Sequence, residues 1–312
     1  MSELYFCVFS DYHYWPTHYP ISTDGLATIM ADAHNRGASL VVQCGDLVHN
    51  APTAPELISL FRDNPYGLTT LGCIGNHEME AVDSFQVVLD CYGMENNYYF
   101  RDINGFRMIF LDTNYYRNER GIICHNPPRS HNAPSGDGDY IPDEELKWLK
   151  HTLLDSAYPC LLFSHASLEC SLGCKNAEKV RGLIRETNAD HPGCVLMCIN
   201  GHHHRNSITI QDNVVFFDVN ATYNGHWQPQ KHTAFPKEFA ESARMAANIF
   251  LFNDPLHAFV HVCDNGKIEI EGMETTYRFG VSPESLGMNS INRFGRVCEP
   301  RISSFHNIVQ KI

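Results

Sequence analysis

The chain has 312 residues, 43% of them hydrophobic, so a sizeable α/β core is expected rather than disorder. Its 36 acidic residues outnumber its 23 basic ones, which argues against broad binding to nucleic acid or to an anionic membrane. No apolar stretch approaches the ~18 residues needed to cross a bilayer, and the first residues lack the pattern of a secretory signal. The 12 cysteines are expected to be small, reduced core residues, and we expect a cytoplasmic protein.

In the first third of the chain, short apolar runs alternate with amphipathic ones. The predicted elements are, in chain order, a strand at 4–10, a helix at 24–36, a strand at 39–44, a helix at 55–64, a strand at 67–74 and a helix ending at 85–93. Asp24 is the expected N-cap of the first helix, and Gly93 is the expected stop of the third.

Hairpins dominate the rest of the chain. Turn pairs stand at Asn104-Gly105, Asp212-Asn213 and Asn265-Gly266 between strand-like runs, and such pairs predict two-residue β-turns. A helix is predicted at 142–155, and buried strands at 159–165 and 193–201. The order of elements indicates an α/β protein with two mixed sheets packed face to face and helices outside, a four-layer α-β-β-α sandwich. We expect a single domain over 1–312, with a long loop at 115–140 and a C-terminal elaboration at 220–312.

Polar motifs stand where five of the apolar strands end. They are Asp11-Tyr12-His13, Gly45-Asp46, Gly75-Asn76-His77-Glu78, Ser164-His165 and Gly201-His202-His203-His204. Sites in open α/β sheets gather at the carboxyl ends of strands. Carboxylate, imidazole and amide groups without cysteine suit Mn, Fe, Zn or Co. If the chain is extended at these points, Asp11 and His13 share one side, and so do His202 and His204, with His203 opposite.

This ordered set of motifs resembles the calcineurin-like metallophosphoesterase superfamily, over residues from about 5 to 220. The resemblance implies a β-sandwich flanked by helices and a centre of two metal ions. It implies that Asp46 bridges the ions and that His77 is a non-ligand histidine beside the substrate phosphoryl group. The ligands that it implies are Asp11, His13 and His204 for one ion, and Asn76, His165 and His202 for the other.

Two ions roughly 3.5–4 Å apart could hold a bridging hydroxide that attacks phosphorus. His77 would then stabilise the developing charge or protonate the leaving oxygen, and both roles stay open. Glu78 is expected to cap the short helix that follows it rather than to orient His77. We expect His203 to be a bystander and His49 to lie outside the site.

The substrate is harder to predict. Arg117 and Arg129 in the 115–140 loop could hold a phosphate, and Trp227 could stack on a base or a sugar. Together with Asn76 and His77 they are the candidate substrate-binding residues, although ordinary surface roles are equally compatible with the sequence. The spacing and the hairpin at Asn104-Gly105 most resemble the bacterial cyclic-nucleotide and glycerophosphodiester phosphodiesterases, which favours a small phosphodiester substrate.

Three alternatives remain to the phosphodiesterase hypothesis. They are a phosphomonoesterase, a nucleoside-diphosphate (pyrophosphate) hydrolase and, in another class, a metal-free interaction scaffold like the retromer subunit that shares the superfamily's fold. The shared motifs cannot separate the enzymes from one another. The sequence gives no indication of the oligomeric state.

Overall fold

The computed structural model describes residues 2–16, 18, 21–170, 172–227, 232–242, 246–291, 297 and 299–309, without the side chains of 225–227 and 246. Within these ranges the chain forms six α-helices: Asp24–Asn35 (α1), Pro55–Arg62 (α2), Phe85–Tyr92 (α3), Asp143–Leu154 (α4), Ala177–Asp190 (α5) and Lys237–Ser242 (α6). The same ranges hold seventeen strands: Glu3–Phe9 (β1), Leu40–Gln43 (β2), Thr69–Gly72 (β3), Tyr99–Ile103 (β4), Phe106–Leu111 (β5), Tyr115–Arg117 (β6), Ile123–His125 (β7), Gly138–Tyr140 (β8), Cys160–Ser164 (β9), Val195–Asn200 (β10), Ser207–Gln211 (β11), Val214–Asp218 (β12), Asn224–Trp227 (β13), Ile249–Leu251 (β14), Ala258–Cys263 (β15), Lys267–Glu271 (β16) and Phe305–Ile308 (β17).

Two six-stranded sheets form the centre of the fold. The first has the order β17-β16-β15-β1-β2-β3 and the second the order β11-β12-β10-β9-β5-β4. Strands β1, β2 and β3 run parallel, and so do β5, β9, β10 and β12, whereas the remaining strands of both sheets pair antiparallel. Both sheets are therefore mixed, as predicted.

The apolar residues of each parallel strand divide between two cores, because successive side chains point to opposite faces. Leu4, Phe6 and Val8 of β1 lie in the core between the sheets, where the rings of Phe6 and Phe163 are 6.0 Å apart. The other face of β1 packs against helices α1, α2 and α3. Helices α4 and α5 cover the outer face of the second sheet. The four-layer α-β-β-α arrangement is therefore confirmed.

Left-handed backbone occurs in all three predicted turns, at both central residues of the first two and at Gly266 in the third. In the first, Asn104 has a φ of 49° and Gly105 a φ of 81°, and β4 pairs with β5 around them. The Gly93 stop is also confirmed, since this residue ends α3 with a φ of 66°. The N-cap of α1 is Thr23 rather than Asp24, so that prediction was wrong by one residue.

The segment 115–140 is not a structureless loop. Its strands β6, β7 and β8 form a small antiparallel sheet in the order β7-β6-β8. Each strand has only three residues, which is too short for a periodic signal in the sequence. Among the described residues, no helix is both long and apolar enough to span a membrane.

Candidate metal centre

The seven predicted ligands follow the carboxyl ends of β1, β2, β3, β9 and β10, and the fold brings them together. Backbone hydrogen bonds join the loops beyond the strands: Asp11 N–H donates to the Gly45 carbonyl at 3.1 Å, and His13 N–H donates to the Asp46 carbonyl at 2.9 Å. The second sheet meets the same edge, because both β9 and β10 end there. Parallel strands thus deliver residues that are distant in sequence to one place.

Five of the seven side chains stand on left-handed backbone, with φ between 46° and 70°: Asp11, His13, Asp46, His202 and His204. Non-glycine residues seldom adopt this conformation, and at functional sites it is held by the surrounding structure. The chain is therefore not extended at these points. The expected alternation of an extended strand was the wrong reason for placing His202 and His204 together.

Glycines precede three of the seven predicted ligands, Asp46, Asn76 and His202, at positions where there is no space for a side chain. A Cβ at Gly45 would overlap the ring of His165, and a Cβ at Gly75 would overlap the carboxylate of Asp46. Gly45 also has a φ of 96°, which suits glycine alone. These glycines allow the backbone to approach the ligands closely.

The first cluster consists of Asp11, His13 and His204, whose ligand atoms lie within 4.8 Å of one another. Asp11 Oδ2 accepts a hydrogen bond from the backbone N–H of His202 at 2.9 Å. Its Oδ1 is buried without a hydrogen bond and lies 3.3 Å from His204 Nε2. His204 Nδ1 donates to the Asn224 carbonyl at 3.1 Å, because a carbonyl only accepts. In the neutral ring, His204 Nε2 is therefore the nitrogen free to bind a metal.

The protonation of His13 follows from its neighbours. Burial lowers the pKa of His49 to about 4, so this ring is neutral and has one proton. That proton is on Nδ1, which lies 2.6 Å from Glu80 Oε2, because a carboxylate only accepts. His49 Nε2 then accepts from His13 Nδ1 at 3.0 Å. His13 Nε2 is left with a lone pair that faces His204 Nε2 at 2.9 Å, an arrangement that favours a cation bound to both atoms.

The second cluster consists of Asp46, His165 and His202, with Asn76 beside them. His165 Nδ1 donates to the Cys44 carbonyl at 2.8 Å, so its Nε2 would be the metal-ligating nitrogen once the ring is neutral. Three atoms lie 3.1 Å from this nitrogen: Asp46 Oδ2, Asn76 Oδ1 and His202 Nδ1. The Asn76 amide is oriented by its Nδ2, which donates to the His131 carbonyl at 2.9 Å.

Asp46 lies between the two clusters. Its Oδ2 is 3.1 Å from His165 Nε2 and 3.8 Å from His13 Nε2, while its Oδ1 accepts the backbone N–H of His77 at 2.8 Å. Burial lowers the pKa of His165, but the Asp46 carboxylate outweighs burial and raises that pKa to about 10. The site thus attracts positive charge, and its oxygen and imidazole donors fit a borderline or hard divalent ion.

A comparison with protein families agrees with this geometry. The sequence matches the family model described as calcineurin-like phosphoesterase over residues 4–206, which is more than half of the 312 residues. The chain belongs to the calcineurin-like phosphoesterase family. The resemblance seen in the motifs is therefore confirmed. A search of curated proteins finds no match.

Two solved structures share the fold of this family member. A dimetal phosphatase from Danio rerio superposes with a TM-score of 0.58 at 15% identity, covering 88% of this chain and 98% of its own. GAP50, described as the anchor in the inner membrane complex of Plasmodium, superposes with a TM-score of 0.55 at 11% identity, covering 100% of this chain and 90% of its own. At these identities the likeness shows the fold alone.

Two residues at the centre were missed in the sequence. His49 contacts His13, as described above, and lies 3.1 Å from His77 Nδ1. Glu80 binds three imidazoles through its two oxygens, with Nδ1 of His49 at 2.6 Å, of His77 at 3.0 Å and of His131 at 3.1 Å. Burial raises the pKa of Glu80, but hydrogen bonds from these rings outweigh burial and lower it overall. Glu80 stands two residues after Glu78, but nothing in that spacing indicates which imidazoles it contacts.

Glu78 neither caps a helix that follows it nor orients His77. Its side chain is fully buried and accepts backbone N–H groups from Asp46 at 3.1 Å, Leu47 at 2.7 Å and Gly75 at 2.9 Å. Burial, with the nearby Asp46 carboxylate, raises the pKa of Glu78 to about 8. Glu78 holds together the two loops that present Asp46 and Asn76, so the expected cap was wrong.

The predicted substrate-binding residues are only partly brought to the centre. Asn76 and His77 are there, and the His77 ring stacks on His131 at 4.6 Å. Within the described ranges, the polar partners of the two arginines are carboxylates outside the clusters. Arg117 pairs with Asp137 at 2.8 Å and Arg129 pairs with Asp83 at 2.7 Å. The side chain of Trp227 lies outside the described residues.

The segment 115–140 reaches the second cluster through two other residues. One is His131, whose carbonyl orients Asn76. The other is Asp139, whose Oδ2 lies 3.6 Å from His202 Nε2, on the opposite side of the ring from the cluster. A carboxylate behind a ligating histidine commonly fixes its orientation. His203 is buried and belongs to neither cluster, and it stacks edge-on against His202 at 4.9 Å.

Proposed function

We propose that this phosphoesterase family member is a hydrolase with two metal ions. Asp11, His13 and His204 would hold one ion, Asn76, His165 and His202 the other, and Asp46 both. The observation that carries the proposal is the convergence of imidazole nitrogens and carboxylate oxygens on two adjacent points, with Asp46 Oδ2 between them. The ions would be Mn, Fe, Zn or Co.

When bound, such ions polarise phosphoryl oxygens and make hydroxide available near neutral pH. The protein's part is to position the ions and the substrate. His77 would act on the substrate because its backbone N–H is fixed by Asp46 and its Nδ1 lies against Glu80, which leaves Nε2 for an oxygen of the phosphoryl or leaving group. Asn76 would contribute its Oδ1 to the second ion.

We propose a small phosphodiester as the substrate. This preference rests on the motif spacing and on the β4–β5 hairpin, which resemble the bacterial phosphodiesterase branch. A phosphomonoesterase or a nucleoside-diphosphate hydrolase is the second candidate. The test is a metal-supplemented panel that contains an aryl phosphodiester, an aryl phosphomonoester, cyclic nucleotides and nucleotide sugars. A kcat/KM that is at least roughly tenfold higher for the monoester or the nucleotide sugars would overturn the diester preference.

A metal-free scaffold is the alternative of another class, and GAP50 is a protein of this fold that is described as an anchor. The chain argues against that role because every ligand position of the motif set is filled. Elemental analysis of protein purified and then incubated with Mn²⁺ or Zn²⁺ separates the two. Failure to bind any divalent ion, together with no hydrolysis in the panel, would favour the scaffold.

We also propose a cytoplasmic location, with no membrane partner and no broad nucleic-acid binding. The formal net charge of −13 supports the last two points. The location is supported by the cysteines, since the eleven within the described residues are all free thiols. Measured localisation of a tagged full-length chain would test it.

A further inference from the structure

A row of polar side chains crosses the outer face of the first sheet, away from the candidate metal centre. The register places His261 of β15 opposite Glu269 of β16, and Glu269 opposite His306 of β17. In the next row, Glu3 of β1 stands opposite Cys263 of β15. Residues two apart on one strand share a face, so Cys263 and His261 point the same way.

The ring of His261 is held from both sides. Its Nδ1 lies 3.3 Å from Glu269 Oε2, and the other oxygen of Glu269 lies 3.1 Å from His306 Nδ1. Its Nε2 lies 3.1 Å from Glu3 Oε2 and 3.9 Å from Cys263 Sγ. A neutral imidazole has one proton and cannot donate to two carboxylates. When Nδ1 donates to Glu269, Nε2 of the neutral ring faces Glu3 with a lone pair, an arrangement that a metal ion between the two atoms would stabilise.

The ligand chemistry favours a metal ion. One ligand atom each from Glu3, His261 and Cys263 lies within 4.8 Å of the others. Tetrahedral zinc, with bonds of about 2.0–2.3 Å to oxygen, nitrogen and sulfur, separates its ligands by roughly 3.3–3.6 Å. The distances of 3.1 Å and 3.9 Å from His261 Nε2 lie on either side of that range. Glu269 behind Nδ1 completes a carboxylate–histidine–metal arrangement.

We propose that Glu3, His261 and Cys263 form a third metal site, which takes zinc and leaves one position for water. Thiolate, imidazole and carboxylate together form a softer ligand set than that of the candidate dinuclear centre. The third site should therefore prefer zinc over manganese. The site would tie β1 to β15 across 258 residues of sequence. Closing so long a loop with a metal restricts the unfolded chain, and zinc would therefore raise thermal stability.

Cobalt gives a readout that the dinuclear centre cannot imitate. The ligands proposed for that centre include no thiolate, whereas cobalt bound to Cys263 gives thiolate-to-cobalt charge-transfer absorption in the near ultraviolet. Full-length protein stripped of metal by a chelator is titrated with Co²⁺, and the absorption is followed for the wild type, Cys263→Ser, His261→Gln and Cys124→Ser. Cys124 is the matched control because it is a partly buried thiol on β7 outside the metal-ligating groups found among the described residues.

The charge-transfer band is expected in the wild type and in Cys124→Ser, and it should be absent in Cys263→Ser. In His261→Gln the band should require at least tenfold more Co²⁺. Zinc should raise the melting temperature of Cys124→Ser and fail to raise that of Cys263→Ser by the same amount. Circular dichroism confirms that each variant is folded. A wild type without the band, or a band that persists in Cys263→Ser, would overturn the proposal.

Discussion

Replacing Asp46 with asparagine tests the centre at the residue that lies between the two clusters and is proposed to bind both ions. The shape of the side chain is kept, and the amide can still accept the N–H of His77 that Asp46 Oδ1 now accepts at 2.8 Å. What changes is the charge, because Asp46 and Asp11 are the only carboxylates in the proposed ligand set. The variant therefore removes half of the negative charge that holds two cations.

The size of the effect follows from the distances. The Asp46 oxygen between the clusters is 3.1 Å and 3.8 Å from the two facing imidazole nitrogens. At about 4 Å and an effective dielectric constant of ~20, two unit charges interact by about 4 kcal/mol. The asparagine oxygen retains part of this as a dipole, so we expect a loss of about 3 kcal/mol. That corresponds to a decrease in kcat/KM of roughly 10²-fold.

The assay is metal-dependent hydrolysis of a chromogenic aryl phosphodiester, with bound metal measured by elemental analysis on the same samples. Asp83→Asn is the matched control, since Asp83 is an exposed aspartate whose partner is Arg129. The control should retain wild-type turnover and metal content. If Asp46→Asn also binds two ions and turns over within roughly threefold of the control, Asp46 is not the bridge.

Three further predictions concern the support of the centre and the fold. Glu80→Gln should lower kcat by roughly tenfold while both ions stay bound, because Glu80 orients imidazoles but belongs to neither ligand cluster; unchanged kinetics would contradict this. Gly75→Ala should lower the free energy of unfolding, measured in urea, by about 1–3 kcal/mol, because the new Cβ overlaps the Asp46 carboxylate. The control is Gly182→Ala in α5, where a Cβ meets nothing closer than 4.0 Å. This variant should leave the free energy of unfolding unchanged or raise it by up to ~1 kcal/mol. Burial lowers the pKa of His125, but Asp112 outweighs burial and raises this pKa overall. The stability that His125 contributes is therefore fully present below its unfolded pKa of about 6.5. It is lost as the pH rises through the raised pKa of the folded state. The stability difference between wild type and His125→Gln should therefore shrink from about pH 6 to pH 9 in urea titrations, and a difference that grows with pH would refute the sign.

Local chemistry explains which parts of the fold were predictable. Asn104-Gly105 determines a two-residue turn because both residues tolerate positive φ, and the structure has them there. The meeting of Asp11 and Asp46 was predictable as well, because parallel strands of one sheet end at a common edge whatever their order. Neither inference needed knowledge of tertiary packing.

Tertiary packing explains what was missed. His49 and Glu80 approach each other only because the loops after β2 and β3 lie side by side, and no spacing in the sequence announces this contact. The role of Glu78 depends on the same neighbouring loops. The alternation expected for His202 and His204 failed because the chain leaves the strand before it reaches them, and loop backbone has no period of two.

The two ligand clusters differ in the groups that hold their side chains in place. The imidazoles of the first cluster are backed by His49 and by the Asn224 carbonyl. In the second cluster, the Cys44 carbonyl lies behind His165, but Asn76 and His202 are supported by the His131 carbonyl and by Asp139, both from the segment 115–140. If two ions bind as proposed, we therefore expect them to have unequal residence times. Mild chelation, or a proteolytic cut in the insertion, would release the ion at Asn76 and His202 first and leave a mononuclear intermediate, which a different metal could then complete to a mixed pair.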